Sequence, residues 1–195
     1  MTQSTFAAGA PERQGDVTST GTEASRVVIE TERLILRRLD LDDAPFIFEL
    51  VNDPDWLRHI GDKGVRSLED ARSYLSTGPL AMYAQHGFGL YAVALREDGT
   101  LIGMCGPIKR DSMQDVDIGF AYLPTYRARG LAREAAVATL DYAKNALNLR
   151  RVVALVSPAN HASARLCERI GLRFEYALRG ADHDDPVDLF SIDFA

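Results

Sequence analysis

The most constraining stretch of this chain runs from residue 116 to residue 156. It reads as a strand, Val116 to Leu123, a long helix from about Leu131 to Leu147, and a short β-branched run, Val152 to Val156. Two strands of one sheet joined through a helix lie parallel, and the crossover is right-handed. The chain therefore needs a sheet with helices on its faces, and the flanking sequence supplies both. Arg33–Leu39, Phe88–Arg96, Thr100–Lys109, Leu172–Leu178 and Val187–Phe194 read as further strands, with Glu97-Asp98-Gly99 as a hairpin turn. Asp40-Leu-Asp-Asp43 offers caps for a helix that ends near Asn52, where Asp53-Pro54-Asp55 breaks the chain. Ser67-Leu-Glu-Asp70 is a capping box for a second helix, interrupted at Gly78-Pro79. Asn160–Ile170 is helical and stops at Gly171. The resulting order, β-α-α-β-β-β-α-β-α-β-β, gives a mixed α/β sheet.

A length of 195 residues fits one domain. Residues 1–26, rich in Thr, Ser, Gly and Ala, read as a disordered tail, and 27–195 as the folded domain. The 22 basic and 28 acidic residues leave a net charge of -6, which argues against a nucleic-acid partner because phosphate neutralisation needs a basic face. No run approaches the roughly 20 apolar residues that span a bilayer, so no membrane partner is expected. Two isolated cysteines, Cys105 and Cys167, suit a reducing cytoplasm, and the four histidines show no metal-ligand spacing, so no metal is expected. Asp182-His183-Asp184-Asp185 reads as an exposed acidic hairpin tip.

The turn into the long helix is Tyr126-Arg-Ala-Arg-Gly-Leu-Ala132. A helix N-terminus offers free N–H groups and the positive end of a dipole, and Gly130 allows a close backbone approach. Arg127 and Arg129 add positive charge. This pattern suits a pyrophosphate, equally a solvated helix start, and it is neither of the usual glycine-rich nucleotide fingerprints. In the next helix Asn160, Ser163, Ala164, Cys167 and Ile170 share one face, with His161, Arg165, Glu168 and Arg169 on the other. Asn160 and Ser163 either cap that helix or meet a ligand. In the preceding strand Val116, Ile118, Phe120 and Tyr122 alternate with Asp115, Asp117 and Gly119. Gly119 in mid-strand suggests a bulge that frees backbone groups. A carboxylate beside it serves as a base, or else simply faces solvent.

Taken together, these residues resemble the GNAT superfamily of acetyl-CoA-dependent N-acetyltransferases over about Thr31 to Phe194. Arg127-Ala-Arg-Gly-Leu-Ala132 matches the family's pyrophosphate loop, and Asn160-His-Ala-Ser163 with Gly171-Leu-Arg-Phe174 matches its next helix and strand. Thr31-Glu-Arg-Leu-Ile-Leu-Arg37 and Asp117-Ile-Gly-Phe120 resemble the branch that acetylates the N-terminal alanine of ribosomal proteins. The resemblance implies a mostly antiparallel sheet of about seven strands with one splayed parallel pair and helices on both faces.

It also implies acetyl-CoA as co-substrate, lying where the 116–123 and 152–156 strands part. Backbone groups of Tyr122 and Leu123 would pair with the pantetheine arm, as would Asn160. The amides of Ala128, Arg129, Gly130, Leu131 and Ala132, beside Arg127, would hold the pyrophosphate. Asp117 would be the base or amine-positioning group and Ser163 the proton donor to the leaving thiolate. Cys167 stands where many members carry a tyrosine acid. The acceptor, a protein N-terminus or a small-molecule amine, would meet Trp56, Arg58, His59 and Tyr83, with Asp182 and Asp184 as an acidic rim welcoming a cationic amine. The enzyme would act as a monomer or a homodimer. The alternative is a catalytically weak acyl-CoA-binding sensor or partner-binding module.

Overall fold

The computed structural model describes residues 26–180 and 183–194. The expected tail, except Arg26, and the hairpin tip at Ala181 and Asp182 lie outside the described residues. One mixed sheet forms the centre, with eight strands in the order β1-β2-β3-β4-β5-β6-β8-β7. They are β1 (Val27–Glu30), β2 (Leu34–Arg37), β3 (Tyr91–Leu95), β4 (Leu101–Lys109), β5 (Val116–Tyr122), β6 (Arg151–Val156), β7 (Arg173–Gly180) and β8 (His183–Asp193). Every neighbouring pair is antiparallel except β5 and β6. The strand expected at Arg33–Leu39 is therefore β2, and β1 is an additional edge strand.

The helices are α1 (Ala44–Val51), α2 (Pro54–His59), α3 (Leu68–Leu75), α4 (Ala81–His86), α5 (Leu131–Asn145) and α6 (His161–Arg169). Sequence explains most of their starts. The Asp53 side chain accepts from the Asp55 and Trp56 amides at the head of α2, with Pro54 in the first turn. Ser67 accepts from the Asp70 amide at the head of α3. Asn160 accepts from the Ser163 amide at the head of α6. Head of α5 differs: Gly130, at φ 80°, precedes it without any side-chain cap.

Gly78-Pro79 does not break the second helix as expected. The chain continues from α3 to α4 through a π-helical turn, Ser76–Leu80, that accommodates Pro79 inside it.

Alternation along the strands feeds two cores. Tyr91, Val93, Cys105, Ile118, Tyr122, Val152 and Ala154 pack with α5 and with Cys167 and Ile170. Ala92, Met104 and Leu123 pack with α1, α2 and α3 on the opposite face. Both faces of β5 are thereby covered, and Asp117, on the face expected to meet solvent, is 2% exposed. Asp115, by contrast, is at the margin and pairs with Arg151 at 3.0 Å.

No bulge occurs at Gly119. The β4–β5 register runs unbroken from Gly103↔Tyr122 to Lys109↔Val116. Gly119 is small because a Cβ there would stand 2.5 Å from Ile108 Cδ1 and 3.2 Å from Leu90 Cδ2. The break in the sheet lies on the other side of β5. Only Val116↔Val152 and Asp117↔Val153 pair β5 with β6, and the two strands then separate.

Candidate active site

The separation of β5 from β6 opens a cleft lined by main-chain groups. In an antiparallel ladder, alternate residues bond the partner strand and the rest face the other way. The Leu123 amide donates to Ile102 O at 2.9 Å. By alternation from that bond, Ile118, Phe120 and Tyr122 turn their N–H and C=O groups toward the cleft. The Tyr122 carbonyl is already taken, accepting from Arg127 Nε at 2.8 Å. Leu123 is fully used as well, since its carbonyl accepts from the Tyr126 amide at 3.0 Å. Phe120 thus carries the open backbone pair that the sequence placed at Tyr122 and Leu123.

At the head of α5 the loop is shaped by two left-handed residues, Ala128 at φ 58° and Gly130 at φ 80°. The N–H groups of residues 128–133 meet no acceptor among the described residues. Such successive free amides at a helix N-terminus form a concave site for an anion. The loop is braced from β2: Thr31 Oγ1 and the Arg33 amide and Nε donate to Glu134 at 2.6, 2.8 and 2.7 Å, and Arg33 Nη1 donates to Arg129 O at 3.3 Å. Burial pushes Glu134 up, but these bonds hold its carboxyl below the usual range. Leu131 contributes only its amide, since its side chain is buried in the core.

The side chains of the two loop arginines are held within the protein. Arg127 is bound through its guanidinium to Asp53 and Asp55 of the α2 N-terminus. Its positive charge is thus neutralised inside the protein. Arg129 lies over the Tyr126 ring, 5.7 Å from its centroid. The cations that do line this cavity, about 520 Å³ in volume, are Arg127 itself, Arg133, Arg165 and Arg169, together with Ala128, Gly130, Ala132, Asn160 and Ser163. Arg165 and Arg169 belong to the helix face expected to point away, and Arg133 carried no motif.

A second cavity of about 520 Å³ adjoins the first; Trp56, His59, Ile60, Phe120, Ala121, Asn160 and Ser163 line both. It extends over Lys63, Tyr74, Gly78, Pro79, Met82, Arg110, Asp117 and Leu155. The π-helical turn therefore supplies part of its wall. Asp117 is held from two sides: Arg110 Nε and Nη2 both donate to Oδ2, at 2.8 and 2.6 Å, and the Leu155 amide reaches Oδ1 at 3.4 Å. Burial pushes its carboxyl above the ordinary value while the Arg110 charge pulls the other way. Trp56 Nε1 and His59 Nδ1 are buried without a hydrogen-bond partner among the described residues.

Two expected acceptor residues fall elsewhere. Arg58 is exposed and lines neither cavity. Tyr83 is a core residue: its hydroxyl bonds the Leu90 carbonyl and accepts from the Leu39 amide at 3.1 Å, and its ring stacks on Tyr91. Asp182 lies outside the described residues, as does the side chain of Asp184. Tyr74, Lys63 and Arg110 take the vacated places. Burial raises the Tyr74 hydroxyl to about 12.

Asn160 both caps α6 and lines both cavities, with its amide nitrogen left to donate. Ser163 lines both, half-buried, and its hydroxyl has no partner among the described residues. Cys167 lines neither; it is fully buried, and burial with the nearby Asp117 charge pushes its thiol to about 12. Among the described residues no group of His, Cys, Asp and Glu is placed to hold a metal, and no helix is long and apolar enough to cross a membrane.

Both the sequence and the fold that carry this site resemble known proteins. The sequence profile of the acetyltransferase (GNAT) domain matches residues 33–173. The chain is 31% identical over 147 residues to the uncharacterized N-acetyltransferase YnaD of Bacillus subtilis, covering 75% of this chain and 83% of that protein. It superposes on the acetyltransferase from Agrobacterium tumefaciens with a TM-score of 0.73 at 27% identity, over 94% of this chain and 100% of the other. The ribosomal L7/L12 α-N-protein acetyltransferase RimL, solved in complex with coenzyme A, shares the fold at a TM-score of 0.73 and 18% identity, over 86% and 97% of the two chains. The chain belongs to the GNAT acetyltransferase family, and it is an acetyl-transferring enzyme.

Proposed function

We propose that the protein moves an acetyl group from acetyl-CoA to a primary amine, by direct attack in a ternary complex. The observation that carries this reading is the junction of the two cavities: an amide cradle for a pyrophosphate opens into the β5–β6 cleft, which meets a cavity holding a buried carboxylate. The fold shared with a protein solved with coenzyme A supports the donor. The amides of residues 128–133 hold the pyrophosphate, with Arg133, Arg165 and Arg169 around it. The Phe120 backbone and the Asn160 side-chain amide pair with the pantetheine arm.

Acetyl-CoA supplies an activated thioester. The acceptor nitrogen bonds to the acetyl carbon and the carbon–sulfur bond breaks. Asp117, its carboxyl pushed above the ordinary value by burial, takes the amine proton directly or through water. A cleft-facing N–H of β5 stabilises the oxyanion that develops on the acetyl oxygen. Ser163, on the wall shared by both cavities, donates a proton to the departing sulfur. Protein N-termini and small-molecule amines are the two acceptor classes.

The test is coenzyme release from acetyl-CoA across a panel of amines and peptides, with products weighed by mass spectrometry. Acetylated product from a primary amine is the expected result. Tight binding of acetyl-CoA without transfer to any member would overturn it.

A further inference from the structure

The charged side chains lining the acceptor cavity are Lys63, Arg110 and Asp117, beside the imidazole of His59. Cations outnumber the carboxylate, and Asp117 is partly answered already, since Arg110 occupies Oδ2 while Oδ1 keeps only a long 3.4 Å contact from the Leu155 amide. Arg110 meets Asp117 through one edge of its guanidinium, Nε and Nη2. Its Nη1 has no acceptor among the described residues, and neither does Lys63 Nζ. The remaining wall adds a further donor, the Tyr74 hydroxyl, and apolar surface from Ile60, Met82 and Met104. Partial desolvation lowers the Lys63 pKa, and the like charge of Arg110 lowers it further, so the two cations stand near one another.

A guanidinium edge presents two parallel N–H bonds that match an oxyanion, and an ammonium adds a point charge to it. A neutral or doubly cationic acceptor would leave the exposed Lys63 and the 43%-exposed Arg110 to water alone. We propose that the acceptor carries an oxyanion, a carboxylate or a phosphate, besides its amine, and that Lys63 and the free edge of Arg110 receive it while Asp117 faces the amine. This rests on the assignment of the cavity to an amine acceptor. It also reverses the cationic acceptor expected from an acidic rim.

The experiment uses the full chain and four acceptors of equal length: an ω-amino carboxylate, an aminoalkyl phosphate, an alkylamine and an alkyl diamine. One of the oxyanion acceptors should exceed the alkylamine in kcat/KM by about tenfold to a hundredfold, the range of a charged hydrogen bond. The carboxylate and phosphate arms tell the two sources apart. Lys63→Glu should invert the order in favour of the diamine, chiefly through KM. In parallel, calorimetry with the N-acetylated forms of the same four compounds reads binding without turnover, and the same order is expected. If no amine on the panel is acetylated but an oxyanion product analogue binds in a Lys63-dependent way, the choice of amines fails while the oxyanion subsite stands. Equal binding of all four compounds, or an order unmoved by Lys63→Glu, overturns it.

Discussion

Replacing Asp117 with Asn separates catalysis from stability, because the fold stands to gain from losing this charge. The carboxylate is 2% exposed. Its partner Arg110 remains 43% exposed in its side chain and can be solvated when the charge is gone. The variant loses charge-assisted bonds worth about 1.5–3 kcal/mol. It also removes the desolvation of a buried carboxylate, which costs several kcal/mol. The upward shift of the Asp117 pKa shows which effect is larger.

Melting temperature should therefore hold or rise by a few degrees, at about 2–4 °C per kcal/mol for a domain of this size. The pH dependence has a definite sign. A carboxyl whose folded pKa is raised keeps its proton in the native state between about 3.9 and the folded value, where the unfolded chain has lost it. Its stabilisation is present at acid pH and lost as pH rises through the folded pKa. The advantage of Asn over Asp should grow across that window and then level off. Turnover with a good amine should fall by about 10²–10⁴ in single-turnover assays. Wild-type turnover in the variant would refute the proton-accepting role. A melting temperature several degrees lower would refute the account of the buried charge.

Gly130→Glu puts bulk and negative charge at a left-handed position in the anion cradle, so thermal stabilisation by acetyl-CoA, about 2.7 kcal/mol at one hundred times Kd for wild type, should vanish in a thermal-shift titration. Arg127→Met leaves the Asp53 carboxylate, 5% exposed in its side chain, with its backbone donors alone; the partial exposure of Arg127 limits the loss to about 1–3 kcal/mol, measured by urea unfolding. Ser163→Ala should lower single-turnover rates with acetyl-CoA affinity unchanged, whereas Cys167→Ser should leave the rate near wild type; a large loss only in the Cys167 variant would move the acid to that thiol.

Local pattern made the crossover unit, the glycine before α5 and the capping residues of α3 and α6 legible, since each depends on residues within a few positions, whereas Asp53-Pro54-Asp55 read as a break and in fact opens α2. Asp117 was half legible. Its alternation in β5 was visible, but its burial involves Leu155 and Cys167, which lie 38 or more residues downstream. Tyr83 was misplaced because the resemblance assigned its whole segment to the acceptor site, and the side chain's direction within that segment depends on a π-helical turn at 76–80. After this turn Tyr83 faces the core and Met82 the cavity wall. Lys63 and Arg110 lie between regular elements, where no periodicity assigns them a side. The partners of Arg127 are 72 and 74 residues away, beyond the reach of any local rule.

The same arginine makes the donor site and the acceptor site a single mechanical unit. Asp53 and Asp55 open the helix that carries Trp56 and His59 into the wall between the two cavities, and Arg127 ties that helix start to the phosphate-binding turn. A displacement at either end therefore has a route to the other through this side chain, besides the β5 residues Phe120 and Ala121 that line both cavities. Thermodynamic reciprocity then applies: whatever factor coenzyme binding contributes to acceptor affinity, acceptor binding returns to the coenzyme. Severing the tie should draw that factor toward one from both directions, although Arg127 and its two carboxylates touch neither reacting atom.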